Sequence, residues 1–282
     1  MRQDVSILYI VATPIGNLND ISLRALDILK TVDFIACEDT RHTQLLLTHY
    51  GITTPVFSYH EHNEQKSTDK IIKLLQENKS IALVSDAGTP LISDPGYLLV
   101  KKIHACAIKI CPIPGACAAI TALSASGLPS DRFIFEGFLP AKSIARQNRL
   151  GELKTETRTL IFYEAPHRIE EMVEDLNLIF GNDRDVTLCR ELTKTFETLY
   201  KSTLKKLSEW LSLSPDNKKG EFVVVVAGLP EDQKEELNHL KAQDLVKKLI
   251  IDLPLKKSVQ ISAELFQVSK NTLYQWALTL KR

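Results

Sequence analysis

The strongest constraint on the fold is the alternation of short apolar runs with helical segments over the first 125 residues. The apolar run at 7–12 ends at a turn rich in proline and glycine, and Leu23, Leu26 and Leu29 then follow at the spacing of one helical face. Two more units of a helix and then a strand follow, with helices at 65–76 and 97–104 and strands at 81–85 and 107–111. This order is typical of βαβ units, so a mostly parallel sheet is predicted.

The sequence changes character after the polar stretch 126–131, which is the best linker candidate. Apolar runs that read as strands follow at 133–138, 159–163, 185–189, 198–201 and 221–226. Helical patterns are fewer and fall near 145–154 and 168–180, which favours an antiparallel or mixed sheet. The polar run 215–220 is predicted to be a hairpin-type loop that leads into the last strand.

The last 50 residues form a third region. A charged connector at 231–236 precedes helical patterns at 241–251, 258–266 and 270–280. Together with a length of 282 residues, these shifts predict an α/β protein with two α/β domains and a helical tail. The predicted boundaries are 1–126, 127–230 and 231–282.

Composition excludes several classes of protein. Hydrophobic residues make up 44% and charged residues 25%, and 35 Lys and Arg balance 35 Asp and Glu, so binding to a polyanion needs a local patch. No apolar run approaches the roughly 20 residues of a membrane span, and no signal-peptide core is seen. Five scattered cysteines indicate neither a disulfide framework nor a zinc site. We therefore expect a reduced, cytoplasmic protein without a membrane partner.

Polar or glycine- and proline-rich loops follow the successive strands of the first domain, at 13–17, 38–41, 60–63, 85–90 and 112–116. In open α/β sheets, ligands bind outside the carboxyl ends of the strands, so these loops predict a binding site along one rim. Phosphate loops, dinucleotide-binding glycine motifs, nucleophile elbows and zinc helices are missing from the sequence. His60, Glu61 and His62 could begin a metal site, but no third ligand has supporting spacing, so no metal is expected.

Five strings carry a resemblance that composition does not supply: LYIVATPIGNL at 8–18, EDTRHT at 38–43, LVSDAGTP at 83–90, GLPSDRF at 127–133 and RELTK at 190–194. They resemble the ribosomal RNA small subunit methyltransferase I family. The resemblance implies the two-domain tetrapyrrole-methylase-like (class III) methyltransferase fold and S-adenosylmethionine as cofactor. It also implies methylation of the ribose 2′-hydroxyl of a decoding-centre cytidine in 16S rRNA, by a homodimer that acts on the small ribosomal subunit.

The resemblance also implies which residues hold S-adenosylmethionine in a cleft between the two domains. From the first domain these are Pro14, Asp86, Ala87, Gly88, Ile92, Gly115, Ala116, Cys117 and Ala118, and from the second Phe162, Tyr163 and Leu229. Two positions depart from the family pattern. Ala12 stands where the family more often has proline, and Ala116 stands in place of the last proline of a P-G-P turn.

A ribose hydroxyl is a poor nucleophile, so a nearby general base should help the transfer. The candidates are Glu38, Asp39, His60 and Glu164, and Arg41 and Arg168 could hold phosphates through bidentate hydrogen bonds. Each has a structural alternative. Asp39 could cap a helix with Arg41 in solvent, His60 could be a structural histidine, and the segment from Glu164 to Arg168 could simply end a strand and open a helix.

The tail carries eight Lys or Arg against three Asp or Glu from residue 241 onward. Residues 258–278 look like a helix-turn-helix, and Lys256, Lys257 and Lys270 could bind rRNA phosphates. The alternative is a small amphipathic bundle with solvated lysines. Two other functions stay open, which are methylation of a small heterocycle on the same fold and nucleic-acid binding without catalysis.

Overall fold

The first half of the chain forms a parallel five-stranded sheet in a computed structural model that describes residues 6–60 and 63–280. The strands are β1 (Ile7–Val11), β2 (Phe34–Cys37), β3 (Val56–Ser58), β4 (Ile81–Val84) and β5 (Lys109–Ile113), in the order β3-β2-β4-β1-β5. All four neighbouring pairs run parallel, which confirms the mostly parallel sheet.

Helices cover both faces of this sheet. They are α1 (Leu23–Thr31), α2 (Thr40–His49), α3 (Glu64–Gln76) and α4 (Tyr97–Ala105). One apolar core joins the sheet to α1 and α2 through Ala25 and Leu47, and the other joins it to α3 and α4 through Ile71 and Leu99. Because both faces are covered, the central strand β4 is buried along its whole length and reads as a continuous apolar run.

The second half forms a mixed five-stranded sheet. Its strands are β6 (Phe133–Phe138), β7 (Thr159–Glu164), β8 (Asp185–Arg190), β9 (Thr198–Thr203) and β10 (Phe222–Val226), in the order β6-β7-β10-β8-β9. Strands β6 and β7 are parallel, and the other pairs are antiparallel. This arrangement confirms the mixed sheet that the sparse helices predicted.

Helices cover both faces of the second sheet. One face packs on α6 (Ser143–Leu153), α7 (Ile169–Phe180) and α8 (Leu204–Leu213), and the other packs on α5 (Ala118–Ser126), which leaves the first sheet. The prediction of a hairpin-type loop at 215–220 is wrong, because α8 separates β9 from β10 and residues 215–218 form a 3₁₀ turn. Helix α5 therefore follows the first sheet along the chain but packs on the second one.

The tail contains α9 (Glu231–Leu249), α10 (Leu255–Phe266) and α11 (Lys270–Thr279). The prediction of a connector at 231–236 is wrong, since Glu231 and Asp232 lie in the first turn of α9, where acidic side chains stabilise a helix. The three helices share a small core of their own that includes Val246, Val259 and Leu273. No helix within residues 6–60 and 63–280 is long and apolar enough to cross a membrane.

Candidate functional site

The loops after β1 and β4 are joined at the carboxyl rim of the parallel sheet. The Thr13 amide donates to the Gly88 carbonyl at 2.8 Å, and the Gly88 amide donates back to the Thr13 carbonyl at 3.0 Å. Gly88 has a φ of +88°, a conformation that glycine adopts without the steric cost of a Cβ atom. The paired loops form a rigid floor for whatever binds above them.

A first cavity of about 370 Å³ lies above this floor, between the two sheets. That volume falls within the roughly 300–1,000 Å³ of small-molecule sites. The first sheet's loops and α5 supply Ile15, Asp86, Ala87, Gly88, Thr89, Ile92, Ser93, Asp94, Cys117 and Ala118. The second domain supplies Phe138, Tyr163, Glu164, Ala165, Pro166, Cys189, Leu192, Glu221, Phe222 and Val223.

The walls of the first cavity differ in chemistry. Tyr163 lies edge-on to Phe138 with ring centroids 5.7 Å apart, and its hydroxyl accepts a hydrogen bond from the Ala119 amide at 3.0 Å. Asp86 and Asp94 add carboxyl groups from the loops of the first domain, and burial raises the pKa of Asp94 above its ordinary value. The cavity thus combines an apolar aromatic wall with an acidic one.

A second cavity of about 380 Å³ adjoins the first. Its wall is made by Thr13, Pro14, Ile15, Gly16, Leu18, His42, Thr43, Leu45, Leu46, Ser85, Asp86, Ala87, Lys194 and Glu221. Four of these residues also line the first cavity: Ile15, Asp86, Ala87 and Glu221. Two ligands, one in each cavity, would therefore meet at this shared wall.

Most of the residues expected to hold a cofactor lie at these cavities. The first is lined by Asp86, Ala87, Gly88, Ile92, Cys117, Ala118 and Tyr163, and the second by Pro14. Gly115 lies behind the wall, where a Cβ atom would come 2.8 Å from Cβ of Ala12. The Ala116 carbonyl accepts a hydrogen bond from Oγ1 of Thr89 at 2.9 Å, so both residues support the loops of the cavity.

Two expected residues lie elsewhere. Phe162 is fully buried in the core under α6, α7 and α8, because neighbouring side chains of a strand point to opposite faces and Tyr163 takes the cavity face. Leu229 lies beyond Val226, which pairs with Leu160 at the far end of the sheet, and its amide donates to the Glu156 carbonyl at 2.7 Å. Neither side chain can contact a ligand in the first cavity.

The carboxylates of Asp39 and Glu164 have structural roles. Asp39 caps α2, and hydrogen bonds from Arg41 lower the pKa of Asp39 to about 2, which makes it a weak base. The Glu164 carboxylate has no accessible surface. Oε1 of Glu164 accepts a hydrogen bond from the Ala165 amide at 2.9 Å, and burial raises the pKa of Glu164 above its ordinary value. A substrate hydroxyl therefore cannot reach Glu164 as the structure stands.

The remaining candidates for the base lie outside the two cavities. His60 follows β3 at the edge of the sheet. The His60 amide donates to Oδ1 of Asn63 at 2.9 Å, and Nδ2 of Asn63 lies 3.1 Å from Nε2 of the His60 ring. Half-buried Glu38 lines neither cavity. Glu61 and His62 lie outside the described residues, and residues 6–60 and 63–280 hold no group of three potential metal ligands.

The two arginines differ in exposure. The Arg41 side chain is 90% exposed and pairs with Asp39 at 2.8 Å. Arg168 is mostly buried, and it donates to the Leu139 carbonyl at 2.6 Å and lies 3.3 Å from Oε1 of Glu164 without hydrogen-bond geometry. Nη2 of Arg168 is therefore used inside the protein, and the phosphate contact expected of Arg168 stays a prediction. Lys256, Lys257 and Lys270 are all exposed on the tail.

Sequence reasoning missed three charged residues of the site: Asp94, Lys194 and Glu221. Lys194 belongs to the RELTK string, so the string marked the right loop without indicating a role. Glu221 comes just before a buried strand, and only the antiparallel direction of β10 brings that end to the cavities. An isolated Glu before a strand carries no signal in the sequence.

The chain matches a known protein family and solved structures of the same fold. The profile of the Tetrapyrrole (Corrin/Porphyrin) Methylases matches residues 7–208. Two solved structures share the fold. Diphthine synthase has a TM-score of 0.62 at 16% identity over 79% of this chain and 90% of its own, and uroporphyrin-III-C-methyltransferase from Thermus thermophilus has 0.55 at 18% over 79% and 94%. The fold is that of the tetrapyrrole methylases.

Relatives of about 50% identity indicate a specific family of methyltransferases within this fold. Ribosomal RNA small subunit methyltransferase I of Haemophilus influenzae is 53% identical over 99% of this chain and 98% of its own, and that of Pseudomonas aeruginosa is 51% identical over 96% of each. The profile of the RsmI C-terminal HTH domain matches residues 238–281. The chain belongs to the ribosomal RNA small subunit methyltransferase I family.

Proposed function

We propose that this protein transfers a methyl group from S-adenosylmethionine to the ribose 2′-hydroxyl of a decoding-centre cytidine in 16S rRNA. The observation that carries the proposal is the shared wall of the two cavities, which suits a donor in one and an acceptor in the other. Relatives at about half identity carry the name of a small-subunit rRNA methyltransferase, which supports rRNA as the acceptor.

The first cavity fits the donor chemically. The carboxylates of Asp86 and Asp94 suit its cationic end, and the start of α5 at Ala118 suits its carboxylate because helix N-termini favour anions. The apolar wall formed by Phe138 and Tyr163 suits the adenine ring. We assign the donor to this cavity on these grounds.

When bound, S-adenosylmethionine supplies an electrophilic methyl group on a sulfonium sulfur. The protein then has to align the two reactants and exclude water, for which it needs no covalent intermediate. The joined Thr13 and Gly88 loops fix the floor of the site, and Asp86 is anchored because its Oδ1 accepts from the Asp39 amide at 2.9 Å. Pre-shaped loops of this kind lower the entropy that alignment costs.

The tail favours rRNA over a small heterocycle as acceptor. Its lysines Lys256, Lys257 and Lys270 are exposed, and it matches a helix-turn-helix domain. Such a module with an excess of positive charge binds phosphates through electrostatics. The homodimer and the cytoplasmic location that the family implies stay predictions, and light scattering on the purified protein tests the first.

The proposal is tested on 30S subunits from a strain that lacks the protein. Incubation with purified enzyme and S-adenosylmethionine, followed by nuclease digestion and mass spectrometry, should yield one new 2′-O-methylcytidine in the decoding region of 16S rRNA. A methyl group on a base, or on a different nucleotide, would contradict the proposed acceptor. Transfer to a heterocycle but not to the subunit would favour the alternative substrate.

A further inference from the structure

We propose that Glu221 accepts the proton of the acceptor hydroxyl and that Lys194 positions it. This inference rests on the proposed function, since it names the base for that reaction. Neither residue was predicted from the sequence, and the four candidates that were predicted lie outside both cavities or have inaccessible or weakly basic carboxylates.

The location of Glu221 is the first argument. Among the described residues that line both cavities, only Asp86 and Glu221 carry a titratable side chain. Asp86 is half-buried, and its Oδ1 holds a backbone amide, that of Asp39, at 2.9 Å. The Glu221 side chain is 75% exposed, so a ligand can reach its carboxylate. The reacting oxygen must lie where the cavities meet, which is beside Glu221.

The second argument is the hydrogen bonding that holds Glu221. Nζ of Lys194 lies 2.9 Å from Oε2 of Glu221 and 2.9 Å from Oε1 of Glu191. The Glu221 amide donates to the same Oε1 of Glu191 at 2.9 Å, and the Glu191 amide donates to the Glu221 carbonyl at 2.9 Å. Backbone and side chain of Glu221 are thus both fixed by one short loop.

The backbone of that loop is unusual for its sequence. Glu191 and Thr193 have φ values of +53° and +67°, which residues other than glycine rarely adopt. Gly220, at φ +94°, leaves room for Glu191, since a Cβ atom there would lie 2.5 Å from Glu191 Cγ. Across the domain boundary, a Cβ atom at Gly16 would lie 2.5 Å from Cγ of Lys194. Strained residues of this kind concentrate at functional sites.

The chemistry requires only a carboxylate that the acceptor hydroxyl can reach. As the new C–O bond forms, the hydroxyl oxygen becomes positively charged and its proton strongly acidic, so the proton passes to the Glu221 carboxylate. The C–S bond of the donor breaks and leaves its electron pair on sulfur. Burial alone would lower the pKa of Lys194, but hydrogen bonds to Glu191 and Glu221 raise it, so Lys194 keeps its positive charge beside Glu221.

The test compares single-turnover methylation of 30S subunits by the wild type and E221Q. General-base catalysis contributes about 10²–10⁴-fold, so E221Q should react at least 100-fold more slowly, with partial recovery in E221D. Calorimetry should give E221Q the wild-type affinity for S-adenosylmethionine. K194Q should lower kcat with KM for the subunit unchanged, and K194R should restore most of kcat because it keeps the positive charge.

E170Q is the matched control, because Glu170 on α7 also pairs with a lysine, Lys218 at 2.6 Å, but lines neither cavity. It should methylate at the wild-type rate. An E221Q variant as fast as wild type would overturn the inference, and so would a loss of donor affinity that accounts for the loss of rate. A wild-type protein that fails to methylate subunits would overturn the proposed function as well, so the two failures are distinguishable.

Discussion

The hydroxyl of Tyr163 on β7 accepts a hydrogen bond from the Ala119 amide in the first turn of α5, at 3.0 Å. This contact ties the second sheet to the helix that leaves the first one, and it closes one side of the first cavity. Burial raises the pKa of Tyr163 above its ordinary value, so the hydroxyl stays neutral at physiological pH. This hydrogen bond therefore does not depend on pH in that range.

Replacing Tyr163 with phenylalanine removes this hydrogen bond and keeps the ring. A typical hydrogen bond contributes about 1 kcal/mol, so the free energy of unfolding in urea should fall by about that amount. Affinity for S-adenosylmethionine should fall only modestly, because the aromatic wall is retained. Unchanged stability would show that the Ala119 contact contributes nothing to the joint.

We expect any side chain at position 88 to destabilise the protein. A Cβ atom there would meet only ordinary contacts, at 3.4 Å from Ile15 Cγ2, but the φ of +88° strains any other residue by about 1–2 kcal/mol. G88A should therefore lower both the free energy of unfolding and donor affinity. G151A is the control, since Gly151 lies in α6 with open space around it and alanine should stabilise that helix by about 0.5–1 kcal/mol. Equal effects of the two variants would contradict this account.

How much of the site the sequence predicts depends on strand direction. In the parallel sheet every carboxyl end lies on one rim, so the loops that carry Pro14 and Asp86 could be assigned to one site without knowing the strand order. In the mixed sheet, ends of both kinds alternate, so the sequence could not place Glu221 at the cavities, and Leu229, which the family resemblance assigned to the cofactor, lies at the opposite end of the sheet. Phe162 and Tyr163 were both assigned to the cofactor, and only the structure of β7 shows that Tyr163 alone faces the cavity.

The domain boundaries at 126 and 230 stay predictions, although the described elements are compatible with them. The parallel sheet ends before α5, and the tail begins at α9. Helix α5 packs on the second sheet, so its assignment to the first domain follows the chain and not the packing. Sequence patterns report local periodicity and cannot report which sheet a helix covers.

Glu156 should make stability depend on acid pH. Hydrogen bonds from Arg158 lower the pKa of Glu156 to about 2 from an ordinary 4.5. A carboxyl with a lowered pKa stabilises the folded state fully above its ordinary pKa, and this stabilisation is lost as the pH falls towards 2. E156Q should therefore cost about 1–2 kcal/mol in urea unfolding at pH 7 and much less at pH 3. E152Q, at a more exposed ion pair, should cost little at either pH.

The tail should be needed for the subunit and not for the donor. Its three helices share their own core, so a chain that ends at Pro230 should bind S-adenosylmethionine with wild-type affinity and 30S subunits more weakly. Binding to the subunit weakens as salt rises, and the slope of log K against log salt concentration measures this effect. Replacing Lys256, Lys257 and Lys270 with glutamine should make that slope shallower by about 0.7–0.9 for each rRNA phosphate that these lysines neutralise. An unchanged salt dependence would favour an amphipathic bundle with solvated lysines.

The central claim is that the methyl donor binds in the first cavity, between the two sheets. A crystal structure of the protein grown with saturating S-adenosylhomocysteine tests it most directly. We predict electron density for the ligand between the loop of Asp86 to Gly88 and the ring of Tyr163, with its sulfur facing the wall shared with the second cavity. An empty first cavity, or the ligand ordered at any other site, would contradict the account.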